Sequence, residues 1–335
     1  MIRFAPITYL VFLVASLSAC APHIEPPGDG RGLTPLLEER SARMDDGVRL
    51  PLTRYVSETE APKAILLALH GFGDHSNAFK ELGPDLAKQG IVTFAIDQRG
   101  FGKGPGHKYW HGHQRMVKDV ISLTTVLKDT YPKQPLYILG ESMGGAVALL
   151  AMTEPDMQAD GVILSAPAVW GREWMWLVQS WGLDLLAHTM PWLPLEPKGI
   201  KIKPSDNIEM LKALSKDPLF IHTPRVDAVY GLVNLMDRAQ EKAGELSKPV
   251  LVLYGERDEL VPKEPTCAFL TALPEAAKAR IALYPEGYHL LFRDLNGARV
   301  GRDIAAFTND PSEALPSGQE VTLEGKRLSA FCNVG

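Results

Sequence analysis

Six short stretches of the chain are dominated by apolar side chains: residues 64–70, 91–97, 135–139, 161–165, 249–254 and 280–284. They run continuously apolar rather than alternating. Strands do this when helices cover both faces of a parallel sheet. Between them lie stretches with helical patterning, at residues 76–89, 114–130, 143–153 and 263–272. Earlier, Asp45-Asp46-Gly47 reads as a turn joining two antiparallel strands. The alternation of strand and helix predicts an α/β architecture with a mostly parallel central sheet and helices on both faces.

The alternation stops after Ser165 and resumes at Pro249. Residues 168–245 contain no clear strand and hold five of the six tryptophans, so they read as a helical cap inserted between two strands. The core is then residues 34–167 together with 246–335. Arg172, Glu173 and Asp184 interrupt the apolar character of the insertion and argue against a membrane span. Trp170, Trp174, Leu177, Trp181 and Leu185 fall at helical spacing. They admit two readings. One is packing of the cap on the core. The other is an apolar substrate wall (Trp170, Trp174, Trp181) or an aromatic surface resting at a membrane interface.

The first residues have a different character. Arg3 is followed by an uncharged run, residues 4–17, too short for a comfortable span, and then by Leu17-Ser18-Ala19-Cys20. This resembles a bacterial lipobox. Residues 1–19 would be a signal peptide, and Cys20 the lipidated first residue of the mature chain. An ordinary signal peptide cut near the same place is the alternative. Residues 20–33 are rich in proline and glycine and read as a tether. The expected location is the bacterial cell envelope. Position 21 is alanine rather than aspartate, and the resemblance to the lipoprotein sorting pattern then implies the outer membrane where the organism has one. The formal charge of −5 leaves no basic footprint, so no nucleic-acid partner is expected. Cys267 and Cys332 are compatible with a disulfide in an oxidising compartment, or with two buried thiols. Nothing in the sequence fixes an oligomeric state.

The strand at 135–139 leads into Gly-Glu-Ser-Met-Gly-Gly, with Ser142 between glycines and a small-residue helix behind it. A nucleophile elbow needs this arrangement: a strained strand-to-helix turn whose small neighbours let the backbones approach. A serine hydroxyl also needs a base. The elbow places an acid and then a histidine downstream, each at the carboxyl end of a strand. Asp258 follows the strand at 249–254, and His289 follows the strand at 280–284. Glu256 and Glu259 are the alternative acids. The oxyanion hole would use the backbone amides of Met143 and of Phe72, in Leu-His-Gly-Phe-Gly-Asp-His. His107, His111 and His113 lie close together, but no cysteine or carboxylate nearby completes a zinc set, so no metal is expected. Asp97 and Arg99 are expected to brace a loop under the site rather than to hold a ligand.

The stretches LHGFGDH, DQRGFGKGPG, GESMGG, GERDELV and EGYHLL, together with SKDPLFIHTPRVDAVYGLV, resemble the monoacylglycerol lipase and lysophospholipase branch of the α/β-hydrolase superfamily. The resemblance spans roughly residues 40–308. Asp74 departs from it, since many members carry glutamate there, and the residues after 308 have no counterpart in it. It implies a serine esterase or lipase that cleaves carboxylic esters of lipid-like substrates through an acyl-enzyme, without a cofactor. A carboxylesterase on small soluble esters is the runner-up. An acyltransferase, a peptidase or a non-catalytic envelope lipoprotein on the same fold stands further off.

Overall fold

The structure is a computed structural model that describes residues 21–59, 61–196, 202–323 and 325–332. Residues 1–19, read as a signal peptide, and Cys20 lie outside the described residues.

The chain opens with three strands, β1 (Leu36–Leu37), β2 (Ser41–Arg43) and β3 (Arg49–Tyr55). The Asp45-Asp46-Gly47 turn joins β2 to β3 in antiparallel pairing. Then come β4 (Ala64–Leu69), α1 (Leu82–Ala87), β5 (Ile91–Ile96), α2 (His113–Thr130), β6 (Leu136–Glu141), α3 (Met143–Met152) and β7 (Gly161–Ser165). Three helices follow: α4 (Leu177–Thr189), α5 (Ile208–Leu214) and α6 (Val226–Lys242). The chain closes with β8 (Val250–Gly255), α7 (Lys263–Ala272), β9 (Arg280–Tyr284), α8 (Gly297–Asn309), β10 (Glu320–Val321) and α9 (Lys326–Cys332).

The strands form one sheet in the order β1-β2-β3-β5-β4-β6-β7-β8-β9-β10. From β5 to β9 all neighbours are parallel. Period-two geometry divides each central strand between two cores. Ile65, Leu67 and Leu69 of β4 join the core under α2, α3, α6 and α7. Ala64, Leu66 and Ala68 join the core under α1 and α8. This two-sided burial is why the strands read as continuous apolar runs.

The chain leaves β4 for β5 on one side and then crosses to β6 on the other. The carboxyl ends of β4 and β6 therefore flank a topological switch point, where open α/β sheets form their crevice.

The structure departs from the sequence reading in two places. The helix expected over 76–89 is two pieces, a 3-10 turn Ser76–Phe79 and then α1. Pro84 would clash with the carbonyl four residues back in a continuous helix; restarting at Leu82 puts it in a first turn, where proline is tolerated. The segment expected as a loose tether is docked. Glu25 N–H donates to the Trp110 carbonyl (2.8 Å), Gly30 N–H to the Asp46 carbonyl (3.0 Å) and Gly28 N–H to Asp46 Oδ2 (2.9 Å). Its glycines serve close approach, since a Cβ at Gly28 would fall 2.4 Å from the Asp46 carbonyl oxygen. Residues beyond 308, expected in the core though without a counterpart in the resemblance, complete the sheet. β10 pairs antiparallel with β9, and a Cys267–Cys332 disulfide, with Cα atoms 5.7 Å apart, ties α9 to α7.

Residues 168–245 carry three α-helices, two 3-10 turns and one isolated bridge, Pro194 with Arg225, among the described residues. Of these, α6 packs on α3 and α2 and shares the larger core. By contrast α4 buries only Ala187. Among the described residues no helix is long and apolar enough to cross a membrane.

Candidate active site

Ser142 sits between β6 and α3 with φ 53° and ψ −116°. A non-glycine residue rarely adopts positive φ, and such strain persists only where the surroundings over-determine it. Here Ser142 N–H donates to the Ser165 carbonyl (3.0 Å), while its own carbonyl accepts from Ala168 N–H (2.9 Å) and Ala146 N–H (3.1 Å). The small neighbours are required. A Cβ on Gly144 would lie 2.2 Å from the Leu69 carbonyl oxygen, and one on Gly140 would lie 2.3 Å from that of Gly144. Strand β6, helix α3 and the end of β4 are thus in backbone contact. The side chain of Ser142 is half-buried at the carboxyl edge of the sheet.

The loop after β4 carries Phe72 beside this elbow, and Ser142 Cβ lies 3.3 Å from where a Cβ on Gly71 would be. His70 shapes the loop. Its Nδ1 is 2.8 Å from the Gly71 carbonyl and its Nε2 accepts from Gln98 N–H (3.0 Å). That leaves Nδ1 as the donor to Gly71. Burial holds the His70 pKa below the ordinary histidine value, which suits this neutral tautomer. Among the described residues neither the Phe72 nor the Met143 amide has a protein acceptor. Met143 is the first residue of α3, where helical N–H groups are left unpaired and the helix dipole favours negative charge.

His289 follows β9 and Asp258 follows β8. His289 Nδ1 and Asp258 Oδ2 are 2.7 Å apart, and the Asp258 side chain is fully buried. Asp258 Oδ1 accepts from Leu260 N–H (2.7 Å) and Val261 N–H (3.0 Å), so the carboxylate cannot swing away. The alternative acids point elsewhere: Glu256 pairs with Arg327, and Glu259 accepts from Lys203 N–H. Burial opposes a charged His289, but the charge and hydrogen bond of Asp258, with Glu141 behind them, outweigh it. The pKa lies above the ordinary histidine value.

A serine on a strained elbow, a carboxylate-paired histidine and two backbone amides without protein acceptors are the kinds of group that acyl transfer uses. Residues 60–296 match the family model described as serine aminopeptidase, S33. The chain belongs to this serine hydrolase family. This S33 chain is 28% identical to the monoglyceride lipase of Rattus norvegicus over 246 residues, which is 72% of this chain and 80% of the relative. It is 24% identical to the monoacylglycerol lipase of Mycolicibacterium smegmatis over 264 residues, 78% of this chain and 93% of that one. A solved structure of a soluble variant of the Saccharomyces cerevisiae monoglyceride lipase, in complex with a substrate analog, shares the fold. Its TM-score is 0.68 at 19% identity, covering 86% of this chain and 99% of that one.

The remaining candidate residues of the S33 chain separate into groups. Arg99 is fully buried and forks between Asp46 (2.7 and 2.8 Å) and Asp119 (2.6 and 2.9 Å). Asp97 accepts from Ser76 N–H and Lys103 N–H, both at 2.8 Å. Both residues brace loops. His111 turns Nε2 to the Pro105 carbonyl (3.0 Å), and among the described residues no group of three His, Cys, Asp or Glu could hold a metal. Trp170 is half-buried against the core, with Nε1 3.3 Å from the Trp174 carbonyl. Trp174 and Trp181 are exposed. A charged cluster escaped sequence reasoning: Arg293 bridges Asp74 and Glu141 at 2.6 Å each, and all three are buried. Its one sequence signal was a glutamate at the end of an apolar strand.

Proposed function

We propose that this chain hydrolyses carboxylic esters of lipid-like alcohols, of monoacylglycerol or lysophospholipid type, through an acyl-enzyme on Ser142. The Ser142 elbow with the His289–Asp258 pair at neighbouring strand ends carries the reading. His289 takes the Ser142 proton as the hydroxyl attacks the ester carbonyl. Asp258 fixes the imidazole with Nδ1–H as donor and stabilises the imidazolium. The Phe72 and Met143 amides hold the oxyanion; each such donor contributes about 3 kcal/mol of barrier lowering. His289 then protonates the leaving alcohol, and afterwards draws a proton from the water that frees the acid.

The lipid-like class is supported by the relatives named as monoglyceride lipases and by α4. Trp176, Leu177, Val178, Trp181 and Leu185 leave more than 60% of their surface open, an apolar face suited to an acyl chain or a lipid surface. The cap reading of residues 168–245, and Trp170, Trp174 and Trp181 as an acyl wall, belong to this proposal. So does a lipid anchor at Cys20, holding the enzyme at the cell envelope.

Activity across acyl lengths, with a fluorophosphonate label, tests the reading. Labelling is expected at Ser142 and lost in Ser142→Ala, with ester hydrolysis down by about a thousandfold or more. Efficiency is expected to rise from C2 to about C8, because each buried methylene contributes about 0.8 kcal/mol. A preference for C2–C4 esters would support the small-ester alternative. An unlabelled, inactive wild type would support the non-catalytic one. Cys20→Ala should leave the membrane fraction with activity intact; an unchanged distribution would remove the anchor.

A further inference from the structure

The proposed reaction needs three loops in one fixed relation: the loop after β4 with the Phe72 amide, the elbow with Ser142, and the loop after β9 with His289. Arg293 lies four residues beyond His289, with 7% of its side chain exposed. Its Nη1 donates to Asp74 Oδ2 (2.6 Å), two residues past Phe72. Its Nη2 donates to Glu141 Oε2 (2.6 Å), immediately before Ser142. One planar guanidinium therefore cross-links all three loops, and its fork geometry fixes both angle and distance. Glu141 is fully buried at the end of an otherwise apolar strand. A carboxylate there is costly to desolvate unless paired, and an apolar residue would fill the space at less cost. Packing alone therefore does not account for the charge.

We infer that Arg293 and Glu141 are positioning residues of the hydrolytic reaction, with Arg293 locking the oxyanion loop, nucleophile and base together and Glu141 anchoring the guanidinium at the residue before Ser142. The inference rests on the reading of Ser142, His289 and Asp258 as the reacting set. Burial raises the Glu141 pKa; Arg293 and His289 oppose that rise, and Asp74 adds to it. The charges acting on His289 are Asp258 and Glu141, which raise its pKa, and Arg293, which lowers it.

The test compares Glu141→Gln and Arg293→Lys with Ser142→Ala, on a short soluble ester, across pH. Glutamine keeps the shape and an acceptor for Arg293 but removes the charge. For Glu141→Gln the expected result is kcat down about tenfold or more at nearly unchanged KM, since an ångström of misplacement costs on the order of a hundredfold. The acid limb of kcat/KM should also move to lower pH. A residue that merely filled space would not move that limb. Arg293→Lys retains the charge but loses the planar fork that fixes both carboxylates, so kcat should fall while the limb stays near its original pH. Wild-type kcat and an unmoved limb in Glu141→Gln would overturn the inference. Should that variant lose its cooperative melt, Arg293→Lys decides alone: a tenfold lower kcat supports the inference, and a wild-type kcat overturns it. Ser142→Ala separates the two levels. If it remains active, the reacting set was misread; if it is dead while both other variants work normally, only the positioning roles fail.

Discussion

Replacing Gly144 by alanine adds one methyl group at the tightest point of the elbow. The new Cβ would lie 2.2 Å from the Leu69 carbonyl oxygen, 2.6 Å from its carbon and 2.7 Å from the His70 carbonyl oxygen. All three are backbone atoms, so no rotamer change can relieve the overlap. Ordinary contact requires a shift of about 1 Å, either of the α3 N-terminus or of the end of β4. Overpacking of this kind costs about 1–3 kcal/mol, a few degrees in the melting temperature of a chain this size. The effect on activity should be larger. The two elements pushed apart carry the Met143 amide and Ser142 on one side and the Phe72 amide on the other. A misplacement of about 1 Å in such a constellation costs about a hundredfold in rate. Gly182→Ala is the control: it lies in α4, with nothing within 4 Å of the added carbon. That change should raise stability by up to about 1 kcal/mol through helix propensity alone and leave activity unchanged. Calorimetry and kcat/KM on a short ester read both variants. If Gly144→Ala keeps activity within about threefold of wild type, backbone contact between β4 and α3 does not set the oxyanion geometry.

Because Asp258 and Glu141 hold the His289 pKa above 6.5, kcat/KM should rise with pH through a midpoint above that value. Asp258→Asn should lower both the rate and that midpoint; an unchanged midpoint would deny the pairing. The same linkage means that the stabilisation from the charged pair is fully present below the unfolded histidine pKa. It is lost as pH rises through the folded one. Reducing Cys267–Cys332 opens a loop of 65 residues and should cost at most about 4 kcal/mol in urea unfolding. Activity under native conditions should survive, and a loss in step with reduction would tie α9 to the site. Leu177→Ser with Trp181→Ala should weaken binding to lipid vesicles by about tenfold or more. Acetate-ester hydrolysis should stay near wild type; equal loss on both substrates would make α4 a structural element.

Much of the fold was legible because the controlling forces are local in sequence. Burial on both sheet faces writes continuous apolar runs, and strand boundaries fell within about two residues of those runs. The Asp45-Asp46-Gly47 turn and α7 were read from similarly local signals. Glycine was harder, since the same residue signals freedom or close approach. Around Ser142 the neighbouring strand and helix resolved it toward close approach. At Gly28 and Gly30 nothing nearby in sequence did, and a docked segment was read as a loose tether. The Arg293 cluster was out of reach for a plainer reason: its partners lie 219 and 152 residues away. No spacing rule links positions that only the tertiary fold brings together.

The tryptophan-rich insertion shows where periodicity ends as a guide. Apolar residues at helical spacing predict one face turned to a core, and Leu177, Trp181 and Leu185 meet that pattern. In the structure these three are 72%, 72% and 65% exposed, while α4 buries only Ala187. Periodicity reports that a face is apolar, not what the face meets. A soluble chain gains nothing by presenting bare indole to water, and scattered exposed leucines are ordinary, but a continuous apolar helix face is not. Just past the end of α4, Trp192 is 56% exposed and Met190 40%. The candidate site is built on strand ends, whereas this surface stands on the insertion, so the two can change independently. Chemistry would then reside in the sheet and its loops. The choice among esters would reside in a helix whose apolar side faces outward, toward the medium from which a lipid-like substrate would come.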